Sequence, residues 1–341
     1  MKNIIIGKNS AITNHLKRIL PNSKAISVRE KDFENKIKKI ANSLFLHEKV
    51  NIIFNNFYPS RKISSVNEKD YWEFANLSLI KTINVLNSFN KSKINKIIYN
   101  SSSSVYGIKT EDLNDSFNRK FSSSFKFVNE NLIYNFSKKN KIEFKILRIF
   151  NMYNGLSDEF SILGKIFKSL KTKETLSISN KGQSLRDFIH IYDVVKIIHL
   201  FLKKKTKHEI YDVGTGYGIK IKDILEYLKL PKKQIKYNSY NDEVGNSISN
   251  NSNIITELNY KKFIQLDKLI KKKTNKNIKG NLKKYKYKDI SNENLYTNDY
   301  IIYGAGNVGK QVYDQLVQNK ERIIYFVDDN PYLIGKSYKG I

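Results

Sequence analysis

Two stretches of this sequence combine residue types and spacing that could do chemistry. Gly304-Ala-Gly-Asn-Val-Gly309 follows the apolar run Asp299 to Tyr303 and opens a segment with helical periodicity, and Asp328 stands 24 residues after Gly304 at the end of a second apolar run. Glycines at a strand-to-helix turn let a pyrophosphate approach the backbone N–H groups of the helix N-terminus, and a carboxylate ending the next strand accepts from a ribose hydroxyl. Gly304, Gly306, Gly309 and Asp328 are therefore candidate dinucleotide contacts. The second stretch, Tyr99-Asn-Ser-Ser-Ser-Ser-Val-Tyr-Gly107, reads as a buried strand running into a serine-rich turn, a row of hydroxyls at a strand's end.

Such turns need strands and helices behind them. Asn3 to Ile6, Lys24 to Val28, Asn51 to Phe54, Lys96 to Tyr99 and Glu143 to Ile149 read as strands. Ile12 to Leu20, Tyr71 to Phe89 and Phe125 to Lys138 carry apolar residues three and four apart and read as helices. This alternation predicts an α/β fold with a doubly wound parallel sheet and ligands at the carboxyl ends of its strands. The expected organisation is one large domain over 1–272, with a small substrate lobe drawn mainly from about 152–185 and 230–272. A basic linker over 273–297 and an incomplete second βαβ unit over 298–341 follow. That unit stops at Ile341 before a third strand, which reads as a fragment or a gene truncated within its second domain.

Composition narrows the class. The 341 residues include no cysteine, which excludes disulfides and thiolate metal ligation, so no metal site is expected and a reducing cytoplasm is the expected home. No apolar run approaches the ~18 residues of a spanning helix. The formal charge is +29, yet only seven of the 61 basic residues are arginine and the lysines are spread along the chain. That pattern reads as a solvated lysine surface that draws in anionic small molecules, not as a nucleic-acid footprint.

In chain order, the serine-rich segment, Leu147-Arg-Ile-Phe-Asn151 and Arg186-Asp-Phe-Ile-His-Ile-Tyr-Asp193 resemble the extended short-chain dehydrogenase/reductase family, the NAD-dependent epimerases and dehydratases of nucleotide sugars. With Glu209 to Asp223 and Leu258-Asn-Tyr260, the resemblance covers about residues 1–272. It implies a Rossmann sheet, NAD or NADP as cofactor, a nucleotide sugar as substrate, and a homodimer through paired helices that include Tyr71 to Phe89. The family's reaction needs a tyrosinate base, a lysine four residues on that lowers its pKa and holds the nicotinamide ribose, and a hydroxyl that orients the substrate oxygen. Ser102 matches the hydroxyl. Lys126, followed four residues later by Glu130, matches the lysine, and the tyrosine position falls on Ser122. Asn151 matches the asparagine that bonds the sugar nucleotide, and Arg186 the arginine that grips its diphosphate. His190 and Asp193 are expected to stabilise the turn into the next helix. Two other phenols are alternatives to Ser122: Tyr106, and Tyr134 with Lys138, which lies ~18 Å further along the same helix.

The family's pyrophosphate turn carries three glycines, whereas Gly7-Lys-Asn-Ser10-Ala-Ile-Thr13 keeps the first. Ser10 could cap the helix and donate to phosphate, and β-branched Thr13 is expected to crowd the helix against the sheet. After the second strand, Ser27 and Arg29 stand in place of a ribose-holding carboxylate; Arg29 either meets the 2′-phosphate of NADP or is a surface arginine. Asn55-Asn-Phe-Tyr58 is bulky where the family has small residues against the cofactor. Gly7, Ser10, Arg29 and Lys126 are the implied cofactor contacts. Ser103 and Ser104 replace the Asp-Glu pair of the 4,6-dehydratases, which favours an epimerase or reductase ancestry. Ile301 to Val312 with Phe326 to Ile341 resembles the first cytosolic domain of membrane-linked polysaccharide-biosynthesis dehydratases. The expected protein is an NAD(P)-dependent nucleotide-sugar epimerase/dehydratase/reductase in polysaccharide precursor synthesis, with Ser122 in place of the tyrosine. The alternative is a non-catalytic nucleotide-sugar or dinucleotide-binding protein.

Overall fold

The computed structural model describes residues 2–45, 47–56, 68–106, 117–155, 161–238, 246–274, 278, 280–286, 299–303, 310–314 and 322–327. They fall into two compact units, 1–287 and 288–341. The first unit begins β1 (Lys2–Ile6), α1 (Ala11–Ile19), β2 (Ser23–Ile26), α2 (Phe33–Asn42) and β3 (Val50–Phe54). Helix α3 (Glu68–Ala75) then continues through one π turn, Asn76–Ile80, into α4 (Lys81–Ser88). β4 (Ile94–Ser102), α5 (Phe117–Lys139), β5 (Glu143–Ile149), β6 (Asn151–Tyr153), α6 (Ile162–Thr172), β7 (Leu176–Ile178), β8 (Leu185–His190), α7 (Ile191–Lys203) and β9 (Ile210–Val213) follow.

Six strands lie parallel in the order β2-β1-β3-β4-β5-β9, the doubly wound sheet expected from the alternation. Isoleucine suits these strands because a β-branched side chain loses little freedom in extended backbone. Alternation sends Ile4, Ile6, Ile52 and Ile97 into a core with Phe33, Ile37 and Val85, while Ile5, Ile53, Ile98 and Leu147 meet Leu16, Val194 and Ile198 on the other face. Burial on both faces explains why the strands read as unbroken apolar runs. The sixth strand and helix α2 were not among the elements anticipated. The π turn was not anticipated either; it loosens the carbonyls of Leu77 and Ser78. Buried Asn56 donates to both, at 3.2 and 3.3 Å, and Asn129 of α5 donates to Ser78 at 3.2 Å.

The remaining elements of the first unit are β10 (Tyr217–Lys220), α8 (Ile221–Tyr227), β11 (Ile235–Tyr237), β12 (Asn246–Ser247), α9 (Ser252–Leu258), α10 (Leu266–Thr274) and β13 (Tyr285–Lys286). β8 lies between β12 and β10 and also pairs with β6, and β13 runs antiparallel to β10. Leu282 is buried in the core of this lobe, with Ile278 packed against it. The part of the expected linker up to residue 287 therefore packs with the first unit, because its two apolar residues find a core. In the second unit, β14 (Asp299–Tyr303) and β15 (Arg322–Val327) are parallel, with a helical segment at 310–314 between them in sequence. Gly304, Gly306, Gly309 and Asp328 lie outside the described residues. Among the described residues, no helix is long and apolar enough to cross a membrane.

Candidate active site

At the carboxyl end of β1 the chain turns at Gly7, whose φ is +109°. A Cβ there would come within 2.4 Å of the Asn55 carbonyl oxygen, so only glycine fits. Ser10 caps α1, accepting from the Thr13 N–H at 3.0 Å. Thr13 does not crowd the sheet as expected. It is fully buried, and its hydroxyl donates to the Gly7 carbonyl at 2.8 Å and accepts from Asn55 Nδ2 at 3.1 Å. Since the Thr13 proton goes to Gly7, the 2.9 Å contact between the two hydroxyls has Ser10 as donor. The Ser10 proton thus points at Thr13 and not toward a phosphate site. Asn55 in turn accepts from Asn100 of β4, and Asn100 Oδ1 is buried with no hydrogen-bond partner among the described residues. Asn56 faces the π turn, and Phe57 and Tyr58 lie outside the described residues. Arg29 is exposed and bonds Glu73 at 3.3 Å.

Ser102 ends β4, its hydroxyl accepting from the Ser104 N–H at 3.2 Å. Its neighbour Ser101 donates to Glu130 of α5 at 2.5 Å. Helix α5 runs back from the carboxyl to the amino edge of the sheet, so Lys126, one turn before Glu130, lies toward the carboxyl edge where Ser102 ends. Burial pushes the half-buried Lys126 ammonium down to about 8, with Glu130 pulling the other way. Ser122 lies one turn earlier on α5, and its side chain is outside the described residues.

A polar chain unmarked in the sequence reading runs on from Glu130. Arg148 of β5 donates to both Glu130 oxygens at 2.7 to 3.2 Å, and its guanidinium covers the Tyr106 ring at 4.7 Å. The Tyr106 hydroxyl donates to Asp212 of β9 at 2.6 Å, and the Asn250 N–H donates to the second Asp212 oxygen at 3.2 Å. Burial, then the Asp212 carboxylate, pushes the Tyr106 phenol up to about 12, so it keeps its proton at neutral pH. Tyr134 and Lys138 do not join this region. Tyr134 packs edge-on against Phe144 near the start of β5, and Lys138 pairs with Glu209.

The lobe brings in the other two candidates. Asn151 follows β5 and donates to the Asp187 carbonyl at 3.3 Å; Arg186 of β8 is half-buried and donates to the Leu185 carbonyl at 2.9 Å. Between them Asp187 is fully buried and accepts from Thr215, Gly216 and Ser249. It binds three segments of the lobe together. His190 caps α7 by accepting from the Tyr192 N–H, and Asp193 accepts from the Tyr260 hydroxyl at 2.6 Å and the Ile264 N–H at 2.9 Å. Both roles are structural. The described residues contain no cluster of His, Asp or Glu that could hold a metal ion. An ionisable residue inside an apolar strand, as at Arg148 and Asp212, was the available signal for the polar chain.

Comparison with known proteins agrees with the fold. The chain is 30% identical to an ADP-L-glycero-D-manno-heptose-6-epimerase of Brachyspira hyodysenteriae over 159 residues, 43% of this chain and 50% of that one. It is 24% identical to a dTDP-D-glucose 4,6-dehydratase of Dictyostelium discoideum over 201 residues, 54% and 46% of the two chains. The chain thus spans about half the length of these curated relatives. In fold it is similar to a UDP-glucuronic acid 4-epimerase from Bacillus cereus, solved with UDP-glucuronic acid and NAD. The TM-score is 0.62 at 20% identity, over 76% of this chain and 93% of that one. The profile of the NAD dependent epimerase/dehydratase family matches residues 38–214, just over half of the sequence, and the chain belongs to that family.

Proposed function

We propose that the first unit binds a nucleotide sugar and NAD or NADP, and works as an epimerase, dehydratase or reductase in polysaccharide precursor synthesis. What supports this reading is the parallel sheet with Ser102 at the carboxyl end of β4, and Asn151 and Arg186 on the paired lobe strands β6 and β8. The residues present fit the cofactor. Gly7 lets the turn pack against the Asn55 backbone, where a side chain cannot go, and the first turn of α1 offers backbone N–H groups to a pyrophosphate. Bound NAD supplies the hydride acceptor. Lys126 would hold the nicotinamide ribose, Ser102 would orient the sugar hydroxyl, and Asn151 and Arg186 would anchor the diphosphate.

The second reading, a non-catalytic binding protein, is favoured by the proton-transfer side of the site. Ser122 stands in the tyrosine position, Tyr106 is committed to Asp212, and Tyr134 sits at the other end of its helix. Calorimetric titration with NAD(H) and NADP(H), followed by turnover assays of Ser122→Tyr on UDP-, dTDP- and ADP-sugars, separates the two readings. A gain in turnover of about a hundredfold or more is expected if a phenolic base alone is lacking. Cofactor binding without any gain leaves the binding protein, and failure to bind any of the four dinucleotides rejects the redox reading.

The parallel pair β14 and β15 supports a second Rossmann-type unit. Exposed Trp72 on α3 and Phe127 and Val128 on α5 support pairing of two copies through these helices. Sedimentation of the full chain as a monomer at micromolar concentration would reject that pairing.

A further inference from the structure

The turn after β1 lacks two of the three glycines of the family pattern, and the structure offers a physical replacement for them. Thr13 sits fully buried at the third position, with every hydrogen-bonding capacity of its hydroxyl in use. Donor and acceptor logic fixes the direction of the whole chain: Asn100 gives to Asn55, Asn55 and Ser10 give to Thr13, and Thr13 gives to the Gly7 carbonyl. The chain ties the start of α1 to the ends of β1 and β3 and to β4, two residues before Ser102. At its far end the Asn100 carbonyl oxygen, on a residue 8% exposed, is left without a partner among the described residues.

We infer that Thr13 is a positioning residue, a hydroxyl staple that holds the phosphate turn in its ligand-accepting shape without the missing glycines. The inference rests on the cofactor reading for its ligand but not for the staple itself. A turn with glycines at positions 10 and 13 gains close packing and loses rigidity; here two side-chain hydroxyls and two amides supply the rigidity instead. The Ser10 proton is engaged within the turn, so the anion is left to backbone N–H groups and to the α1 dipole.

The test uses the full chain with three substitutions at one position. Thr13→Val keeps the shape and removes the hydroxyl, leaving the Gly7 carbonyl with the Ser10 N–H at 3.3 Å and taking the acceptor from the Asn55 amide; Thr13→Ser keeps the hydroxyl; Thr13→Gly restores the family residue. Hydrogen exchange of the amides from Lys8 to Ala11, measured without ligand, is expected to speed up about tenfold or more in the Val and Gly variants and to stay near wild type in Ser. Calorimetry with NADH is expected to give a Kd about tenfold weaker for Val and Gly, with Ser retaining affinity. Unchanged exchange in Val, or tighter NADH binding in Gly, overturns the inference. If the wild-type chain binds no dinucleotide while the exchange pattern holds, the cofactor reading fails and the staple stands.

Discussion

Lys126 is the residue whose chemistry the surroundings change most usefully. Its ammonium, pushed down to about 8, is charged at neutral pH and neutral only a little above it. A charge-assisted hydrogen bond from Lys126 to the ribose would therefore be strongest well below pH 8 and weaken as the ammonium loses its proton through and above it. NADH affinity measured from pH 7 to 9.5 is expected to fall roughly tenfold in the wild type and to stay level in Lys126→Arg, whose guanidinium does not titrate there. A level wild-type profile would remove Lys126 from the binding site. Ser102, Lys126, Asn151 and Arg186 could be proposed from sequence because each lies in a run with its own spacing. Asn55, Asn100, Arg148 and Asp212 were not, because a hydrogen-bonded chain across strands leaves no spacing in any one of them. Thr13 was read by its shape alone, and the acceptors awaiting its hydroxyl lie on other strands.

Among the elements, helix α7 carries a pH-dependent cap. His190 accepts from the Tyr192 N–H and is held neutral by burial, with nearby His15 adding to the effect and Asp193 opposing it. Its pKa is lowered in the fold, so below the unfolded value of about 6.5 the unfolded chain binds more protons than the native one. The cap's contribution is therefore complete above about pH 6.5 and is lost as pH falls below it. Thermal melts from pH 7.5 to 5 are expected to drop less steeply for His190→Asn, which can cap without titrating, than for wild type; equal slopes would exonerate the cap. The strands were legible from their isoleucine runs. The π turn was not, since the amide that satisfies it, Asn56, lies twenty residues earlier in a segment that reads only as bulky.

For the whole molecule, the boundary of the first unit lies beyond the end of the family resemblance. Residues 273–286 are rich in lysine, which hides the two apolar residues, Ile278 and Leu282, that dock on the lobe. A chain ending at residue 287 is expected to melt like the intact first unit. One ending at 272 is expected to melt roughly 5–10 °C lower, the effect of losing two buried aliphatic side chains and the β13 pairing. Equal melting of the two would make 273–286 a true linker. The packing of this segment also has a mechanical meaning. Strand β13 is joined through β10 to the strand bearing Arg186. Tension on the chain after β13 would be borne by the lobe before the parallel sheet, so a pull there would reach Arg186 before it reached Ser102.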